Sequence, residues 1–169
     1  MRTIATILTI VTRVVSVKFR LLSLTDLGQL ERDFPQPKPG DHAARLELQA
    51  KNTYSYICAE VDERIVAIEL IRWSGPQKSE DQLLSQYPEL GSLYVIPDYR
   101  SQGIGSRLSD YAEHLVKKRG YIGVGATIKD SNTISIAMHR ARGYRPVGAA
   151  SRTRQHPNEP RSYYIKQFD

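Results

Sequence analysis

The sequence of 169 residues has little of what disulfide-bonded, zinc-binding or membrane-spanning proteins require. Cys58 is its single cysteine and its four histidines are scattered, so it can build neither a disulfide framework nor a Cys/His zinc site. We therefore expect no metal and a reducing, cytoplasmic location. No segment approaches the roughly 18 to 20 uncharged apolar residues that cross a bilayer, so we expect no membrane partner.

The chain is also too short for several domains. Its 40% hydrophobic and 25% charged residues are typical of one globular domain, in which roughly 70% of the unfolded chain's surface can be buried. The formal net charge of +6 favours anionic partners. We interpret the C-terminal basic residues as a solvated face, and nucleic-acid binding is the weaker alternative because no nucleic-acid motif accompanies them. These residues are Arg140, Arg142, Arg145, Arg152, Arg154, Arg161 and Lys166.

Acidic residues are absent from the first 25 positions, which include four basic ones. Such a stretch resembles an organelle transit peptide, but it is rich in β-branched residues and has no clear cleavage site. We therefore treat residues 1–16 as an N-terminal extension of uncertain kind, either a targeting segment or a mis-assigned start, and residues 17–169 as a single domain.

Hydrophobic periodicity, β-branched runs and helix caps predict the element order β-α-α-β-β-β-α-β-α-β-β. This order indicates a mixed α/β sheet with helices on both faces. We expect Thr25 to cap the first helix and Asp41 the second. The predicted strands cover residues 17–22, 54–60, 64–73, 90–96, 121–129, 144–151 and 162–168, and the predicted helices cover residues 25–34, 41–51, 105–119 and 132–142.

The segment from Gly91 to Ser106 carries the strongest functional signal. It runs as a strand, a turn at Pro97 and a glycine-bearing loop that opens directly into a helix. Free backbone N–H groups and the helix dipole converge there, and Gly103 and Gly105 let a phosphate approach the main chain. The third glycine of the dinucleotide fingerprint is missing and no Gly-Lys-Ser/Thr follows. The loop therefore does not match the signatures that bind NAD or ATP.

The motif Arg100-x-x-Gly103-x-Gly105 resembles the Gln/Arg-x-x-Gly-x-Gly/Ala signature of the GNAT superfamily of N-acetyltransferases. Two flanking blocks, over residues 93–99 and 132–144, are also similar to that family, and the resemblance covers almost the whole predicted domain. It implies a GNAT-like acyl-CoA N-acyltransferase fold, with a central, mostly antiparallel sheet, a splayed parallel strand pair and helices on both faces.

The resemblance implies acetyl-CoA as co-substrate and assigns residues to it. The loop amides would hold the pyrophosphate, the fourth-strand backbone would pair with the pantetheine arm, and Asn132 would hydrogen-bond that arm. Asn132 is alternatively a simple helix cap. The implied cofactor-binding residues are Leu93, Tyr94, Val95, Arg100, Ser101, Gln102, Gly103, Ile104, Gly105, Ser106 and Asn132.

His139 is the first implied catalytic residue. It stands where the family usually carries the tyrosine that protonates the departing thiolate. Histidine can donate a proton near neutral pH, but a helix-face histidine without chemical role is an equal alternative. Tyr94, Tyr111 and Tyr144 are possible substitutes.

Glu89 is the second implied catalytic residue, as a general base. It stands at the head of the fourth strand, where several family members carry a catalytic glutamate; the alternative is a solvent-exposed carboxylate without such a role. Strand alternation places Glu89 on the face of Leu93 and Val95 rather than that of Tyr94. Thr127 stands where the branch that acetylates ribosomal-protein N termini carries Glu, which counts against that branch.

The leading hypothesis is acetyl transfer to a primary amine by direct attack, because no cysteine or serine nucleophile constellation is present. We expect Cys58 and Trp73 to be core residues. The sequence does not identify the amine acceptor, which is either a small metabolite or a protein amine. It also leaves open whether the protein forms a homodimer. The alternatives are a GNAT-type toxin that acetylates aminoacyl-tRNA, and a non-catalytic CoA-binding sensor module.

Overall fold

The computed structural model describes residues 16–76, 84–150 and 159–169; residues 1–15 of the N-terminal extension, Arg152 and Arg154 lie outside them. The elements follow the predicted order. The strands are β1 (Val17–Leu21), β2 (Tyr54–Val61), β3 (Arg64–Arg72), β4 (Glu89–Val95), β5 (Gly123–Lys129), β6 (Arg145–Ala149) and β7 (Arg161–Gln167), and the helices are α1 (Leu27–Asp33), α2 (Asp41–Ala50), α3 (Ile104–Lys118) and α4 (Thr133–Ala141).

The strands form one seven-stranded sheet in the order β1-β2-β3-β4-β5-β7-β6. Neighbouring strands are antiparallel, except that β4 and β5 run parallel. The β4–β5 ladder joins only Glu89 to Gly125 and Leu90 to Ala126, after which the two strands separate. This confirms the predicted fold class, a mostly antiparallel sheet with a splayed parallel pair.

Helices cover both faces of the sheet. Tyr56 on β2 points toward α2, where its hydroxyl hydrogen-bonds the ring of His42 (2.8 Å). Glu69 on β3 points toward α3, and Ser109 of that helix donates a hydrogen bond to it. Glu69 pairs with Ile57, the neighbour of Tyr56, so side-chain alternation puts Tyr56 and Glu69 on opposite faces. We call these the α2 face and the α3 face.

Two helix caps differ from the predicted ones. α2 begins at Asp41, but its N-cap is Gly40, which has a φ of +80°. Only glycine adopts this left-handed conformation without steric penalty, so the turn after the proline-rich loop depends on it. The first helix follows a short 3-10 turn whose N-cap is Ser23 rather than Thr25. There the Asp26 carboxylate accepts a hydrogen bond from the Ser23 amide (2.8 Å).

Cys58 and Trp73 are core residues, as predicted. Cys58 is fully buried, and burial raises the pKa of its thiol to about 12, so the thiol stays protonated at neutral pH. Trp73 is also buried, and its indole N–H donates a hydrogen bond to the Ser55 hydroxyl (3.1 Å). Both side chains therefore serve packing.

A buried carboxylate connects α3 to the C-terminal part of the chain. Glu113 of α3 accepts hydrogen bonds from Arg142 Nη2 (2.7 Å), the Tyr144 hydroxyl (3.0 Å) and Lys166 Nζ (2.5 Å). Arg142 directly follows α4 and Lys166 lies on β7, so one carboxylate fixes both elements to α3. These two basic residues are thus ion-paired and mostly buried, which corrects their assignment to a solvated face.

We expect Glu113→Ala to lower the free energy of unfolding by about 2 to 4 kcal/mol, because it leaves partly buried cations without their partner. Urea denaturation measures this change. The matched control is Glu47→Ala on the exposed side of α2, which should alter the free energy by less than about 0.5 kcal/mol. Equally small changes in both variants would show that the Glu113 network contributes little to stability.

Candidate functional site

A bulge on β4 lies beside the point where β4 leaves β5. Between Gly91 and Tyr94, β4 has one residue more than β3, so Ser92 and Leu93 together stand opposite Glu69. Ser92 adopts a φ of +56° there. A bulge of this kind bends the strand and increases its twist. Beyond the short ladder with β5, the edge of β4 therefore has backbone groups that an extended ligand can pair with.

The bulge also reverses the expected side-chain alternation. From the β3–β4 register, Glu89 lies on the α2 face together with Tyr94, whereas Val95 lies on the α3 face. Leu93 also lies on the α3 face, since its side chain contacts α3. The prediction that Glu89 shares a face with Leu93 and Val95 is therefore wrong, because the extra residue shifts the alternation by one position.

Two cavities open at the separation of β4 and β5. The cavity on the α2 face has a volume of about 210 Å³, and its lining includes Arg72, Glu89 and Tyr163. The second has a volume of about 240 Å³, and its lining includes Glu69, Asn132 and His139. They meet between the two strands, since both are lined by Leu90, Gly91, Ser92, Thr127 and Arg161.

The glycine loop ends at an open helix N-terminus. Gly103 is the N-cap of α3, has a φ of +75° and carries no side chain that could cap the first turn. Nothing lies within 4 Å of the position of a Cβ there, so a ligand can approach the main chain closely. The amides of Ile104, Gly105 and Ser106, with the positive end of the dipole of a 15-residue helix, suit this helix start to bind an anion.

Arg100 and Gly105 of the motif set the geometry of this loop. The Arg100 Nε–H donates to the Val95 carbonyl (2.9 Å), and its guanidinium lies over the Tyr94 ring (5.4 Å), so the side chain ties the loop to β4. A Cβ on Gly105 would lie 3.3 Å from Val95 Cγ2. The missing side chain of Gly105 therefore lets α3 pack against β4.

Asn132 is the N-cap of α4. Its Oδ1 accepts a hydrogen bond from the Ser135 amide (3.1 Å). Asn132 also lines the same cavity as His139. Because the cap uses the side-chain oxygen and leaves the NH₂ group for a ligand, capping and ligand binding are compatible roles for this residue.

His139 lies half-buried on α4 with one ring nitrogen engaged. Nδ1 is 2.8 Å from the Ser135 carbonyl oxygen, which can only accept, so Nδ1 carries a proton and Nε2 of the neutral ring carries a lone pair. Burial lowers the pKa of His139 below its ordinary value of 6.5, which keeps the ring neutral at pH 7. In this state Nε2 accepts a proton rather than donates one.

The three tyrosines considered as substitutes for His139 are engaged elsewhere. Tyr144 is buried and donates to Glu113, and burial raises its pKa well above 10. Tyr111 stacks on Phe19 of β1 (5.8 Å), and Tyr94 packs beneath Arg100 on the α2 face. Among the described residues, His139 lines one of the two cavities and these tyrosines line neither.

Glu89 is buried, which excludes a solvent-exposed carboxylate. Its two oxygens accept hydrogen bonds from Arg72 and Thr127. Arg72 in turn donates to the Tyr54 hydroxyl (3.2 Å). This chain of contacts fixes one carboxylate at the wall of the cavity on the α2 face.

Sequence reasoning missed Glu69 and Arg161. Glu69 lies beneath the bulge and is 2% exposed, and burial raises its pKa to about 8 although Ser109 donates to both of its oxygens (3.1 Å). Its signal was available, since it is the single acid in the apolar run of β3. Arg161 lines both cavities, but nothing in the sequence distinguishes it from the other C-terminal arginines.

A sheet whose parallel pair separates beside an anion-binding helix start has the architecture of an acyl-CoA N-acyltransferase. The chain belongs to the acetyltransferase (GNAT) family, whose family model matches residues 24–144.

Solved structures of similar fold include three N-acetyltransferases. A ribosomal-protein-alanine N-acetyltransferase from Brucella melitensis is 20% identical, with a TM-score of 0.72 over 89% of this chain and 99% of that one. An N-acetyltransferase from Staphylococcus aureus Mu50 is 17% identical, with a TM-score of 0.72 over 90% and 98%. The PaiA N-acetyltransferase from Thermoplasma acidophilum, solved with coenzyme A, is 15% identical, with a TM-score of 0.68 over 90% and 99%. At these identities the likeness shows the fold.

Two further properties concern the described residues. No helix among them is both long and apolar enough to cross a membrane. Their His, Cys, Asp and Glu side chains form no group of three or more that could hold a metal ion.

We expect Glu69 to lower the free energy of unfolding as pH rises from about 4.5 to about 8, because it holds a proton in the folded state that the unfolded chain has lost. This contribution is fully present below the ordinary pKa of 4.5 and is lost as pH rises through about 8. Glu69→Gln removes this titrating group, so the free energy of unfolding of the variant should rise relative to that of the wild type as pH increases. Urea denaturation at several pH values tests this, and parallel curves would contradict it.

We expect His139 to be a neutral Nδ1–H tautomer at pH 7 and to protonate below pH 6.5. Nitrogen-15 chemical shifts of the imidazole rings measure both properties, and His139→Gln identifies the signal. A proton on Nε2 at pH 7, or a midpoint above 6.5, would contradict this assignment.

Proposed function

We propose that this protein is an acetyl-CoA-dependent N-acetyltransferase that transfers an acetyl group to a primary amine by direct attack. The observation that carries the proposal is the separation of β4 from β5 beside the open N-terminus of α3. This combination suits a long ligand with an anionic end, because a strand edge can pair with its arm while the helix start binds its phosphates. Acetyl-CoA is such a ligand, and family membership supports this choice.

The geometry of the loop and β4, together with family membership, supports the following set of cofactor contacts. The main-chain amides from Ser101 to Ser106 hold the pyrophosphate at the start of α3. The backbone of Leu93, Tyr94 and Val95 pairs with the pantetheine arm, and the Asn132 amide group donates to that arm. Bound in this way, acetyl-CoA supplies an acetyl group activated as a thioester, at the point where the two cavities meet.

Glu89 handles the proton of the incoming amine. A primary amine enters as an ammonium ion, and the carboxylate at the wall of the cavity on the α2 face attracts it. Glu89 accepts one proton, which then passes to water through the open cavity, and the amine becomes a nucleophile. Arg72 and Thr127 hold the carboxylate in position during this transfer.

His139 handles the proton that the departing sulfur needs. Once the nitrogen has bonded to the acetyl carbon it still carries an excess proton, which the lone pair on Nε2 of His139 can take. Nε2 then gives this proton to the thiolate, while Nδ1 stays bonded to the Ser135 carbonyl. His139 is therefore neutral at the start of the cycle, whereas a general acid would already hold the proton that it donates.

The nucleophiles and charges of the chain favour direct transfer to an amine. Cys58 is buried with a raised pKa, so it does not form an acyl-enzyme. The toxin alternative loses part of its motivation because three C-terminal basic residues are engaged with acids. Arg142 and Lys166 pair with Glu113, and Arg161 pairs with Glu159.

Saturating acetyl-CoA should raise the melting temperature by about 5 to 10 °C. A ligand at about 100 times its dissociation constant adds roughly 2.7 kcal/mol to the stability of the folded state, which corresponds to a shift of this size in a domain of this length. Differential scanning fluorimetry measures it. Gly103→Asp should abolish the shift, since a carboxylate at the helix start repels the pyrophosphate.

Gly103→Asn is the matched control, because it has nearly the same shape, tolerates positive φ and carries no charge. It should retain more of the shift than Gly103→Asp. No shift in the wild type would overturn the proposal. If acetyl-CoA produces the normal shift but no amine causes thiol release, the sensor alternative replaces the acetyltransferase proposal.

A further inference from the structure

The cavity on the α2 face presents opposite charges on one wall. Glu89, Arg161 and Tyr163 all line it. The β5–β7 register pairs Thr127 with Tyr163 and Lys129 with Arg161, so Arg161 lies on the same face as Thr127 and its partner Glu89. A molecule entering here therefore meets a carboxylate and a guanidinium on the same side of the sheet.

The charge of Glu89 is already balanced, but that of Arg161 is balanced only in part. Arg72 pairs with Glu89. Arg161 donates through Nη2 to Glu159 at the long distance of 3.3 Å, while the same Glu159 oxygen lies 2.7 Å from Lys129 Nζ. Glu159 is 41% exposed, so two cations share one partly hydrated carboxylate. The guanidinium of Arg161 is consequently the cationic group of this wall that is left to attract an anion, beside the carboxylate of Glu89.

Arg161 also has an unused hydrogen-bond donor. Among the described residues, its Nε is the buried side-chain nitrogen or oxygen that has no hydrogen-bond partner. Unpartnered buried donors are rare in proteins, and each calls for an acceptor. Arg161 as a whole lines the cavity, and the guanidinium of an arginine binds the two oxygens of a carboxylate through a fork of paired N–H groups.

We propose that the acceptor is an amino acid, or an amino-acid-like metabolite, whose carboxylate is bound by Arg161 while its amino group lies toward Glu89. This inference rests on the proposed function and gives its acceptor a chemical class. The volume of about 210 Å³ suits a small metabolite, since sites for drug-sized ligands typically enclose roughly 300 to 1,000 Å³. An amine without a carboxylate, or the N-terminus of a protein, would leave the Arg161 fork without its anion.

The first experiment compares acceptors with the wild-type enzyme. The twenty standard L-amino acids, their α-carboxamides and the corresponding decarboxylated amines are assayed for acetyl-CoA-dependent thiol release. For at least one side chain, kcat/KM of the acid should exceed that of its amide and its amine by about 10- to 100-fold, the size expected of a charge-assisted hydrogen-bonded pair. The amides also stand for protein N termini, so the same panel tests a protein acceptor.

The second experiment changes Arg161. Arg161→Gln should lower kcat/KM for the preferred acid by about 10- to 100-fold and leave that of its amide nearly unchanged, and Arg161→Lys should restore part of the loss. Arg145→Gln, an exposed arginine on the neighbouring β6, is the matched control and should behave as wild type. A retained melting temperature and a retained acetyl-CoA shift establish that Arg161→Gln is folded and binds its cofactor.

The failures of the two proposals are distinguishable. Equal kcat/KM for acids, amides and amines overturns the acceptor class while the acetyltransferase proposal stands. The acceptor class is also overturned if the protein binds acetyl-CoA but acetylates no amino acid. It is overturned as well if Arg161→Gln loses the acetyl-CoA shift, because Arg161 would then belong to the cofactor site. Absence of that shift in the wild type overturns the proposed function itself and the acceptor class with it.

Discussion

The incomplete pairing of β4 with β5 is the constraint on which the rest of the site depends. Parallel strands that separate leave N–H and C=O groups unpaired, and such groups are costly when they are buried. Here they border two cavities that meet in the gap, so the unpaired edge is open to a ligand. The bulge at Ser92 bends β4 beside this gap, and the missing side chain of Gly105 lets α3 pack against β4 at Val95.

Three buried glutamates have different roles because their partners differ. Glu113 joins two cations and a tyrosine and fixes helices to the sheet. Glu89 pairs with Arg72 and presents a charge to a cavity. Glu69 has a serine as its hydrogen-bond partner, and burial raises its pKa to about 8, so it is mainly protonated at pH 7. The environment supplied by neighbouring elements, rather than residue type, separates structural from chemical carboxylates.

The fold was largely predictable from the sequence because its signals are local. Alternation, helical spacing, Pro97 and the glycine loop determine element type over a few residues, whereas the cap at Gly40 depends on a backbone conformation that Asp41 did not reveal. The bulge was invisible because Ser92, a residue without glycine's freedom, adopts positive φ there. Arg161 reaches the site through pairing between β5 and β7, which are distant in sequence, so no motif could indicate it.

Arg142 gives the site a property that neither helix has alone. Besides pairing with Glu113, it donates through Nη1 to the carbonyl of Ser106 in the first turn of α3 (2.9 Å). These hydrogen bonds join the end of α4 to α3. The helix that carries Asn132 and His139 is therefore held rigidly against the first turn of α3. Most of the conformational entropy of these two elements is lost when the chain folds. A ligand that bridges the two helices therefore meets a preorganised site and orders little more of the protein on binding.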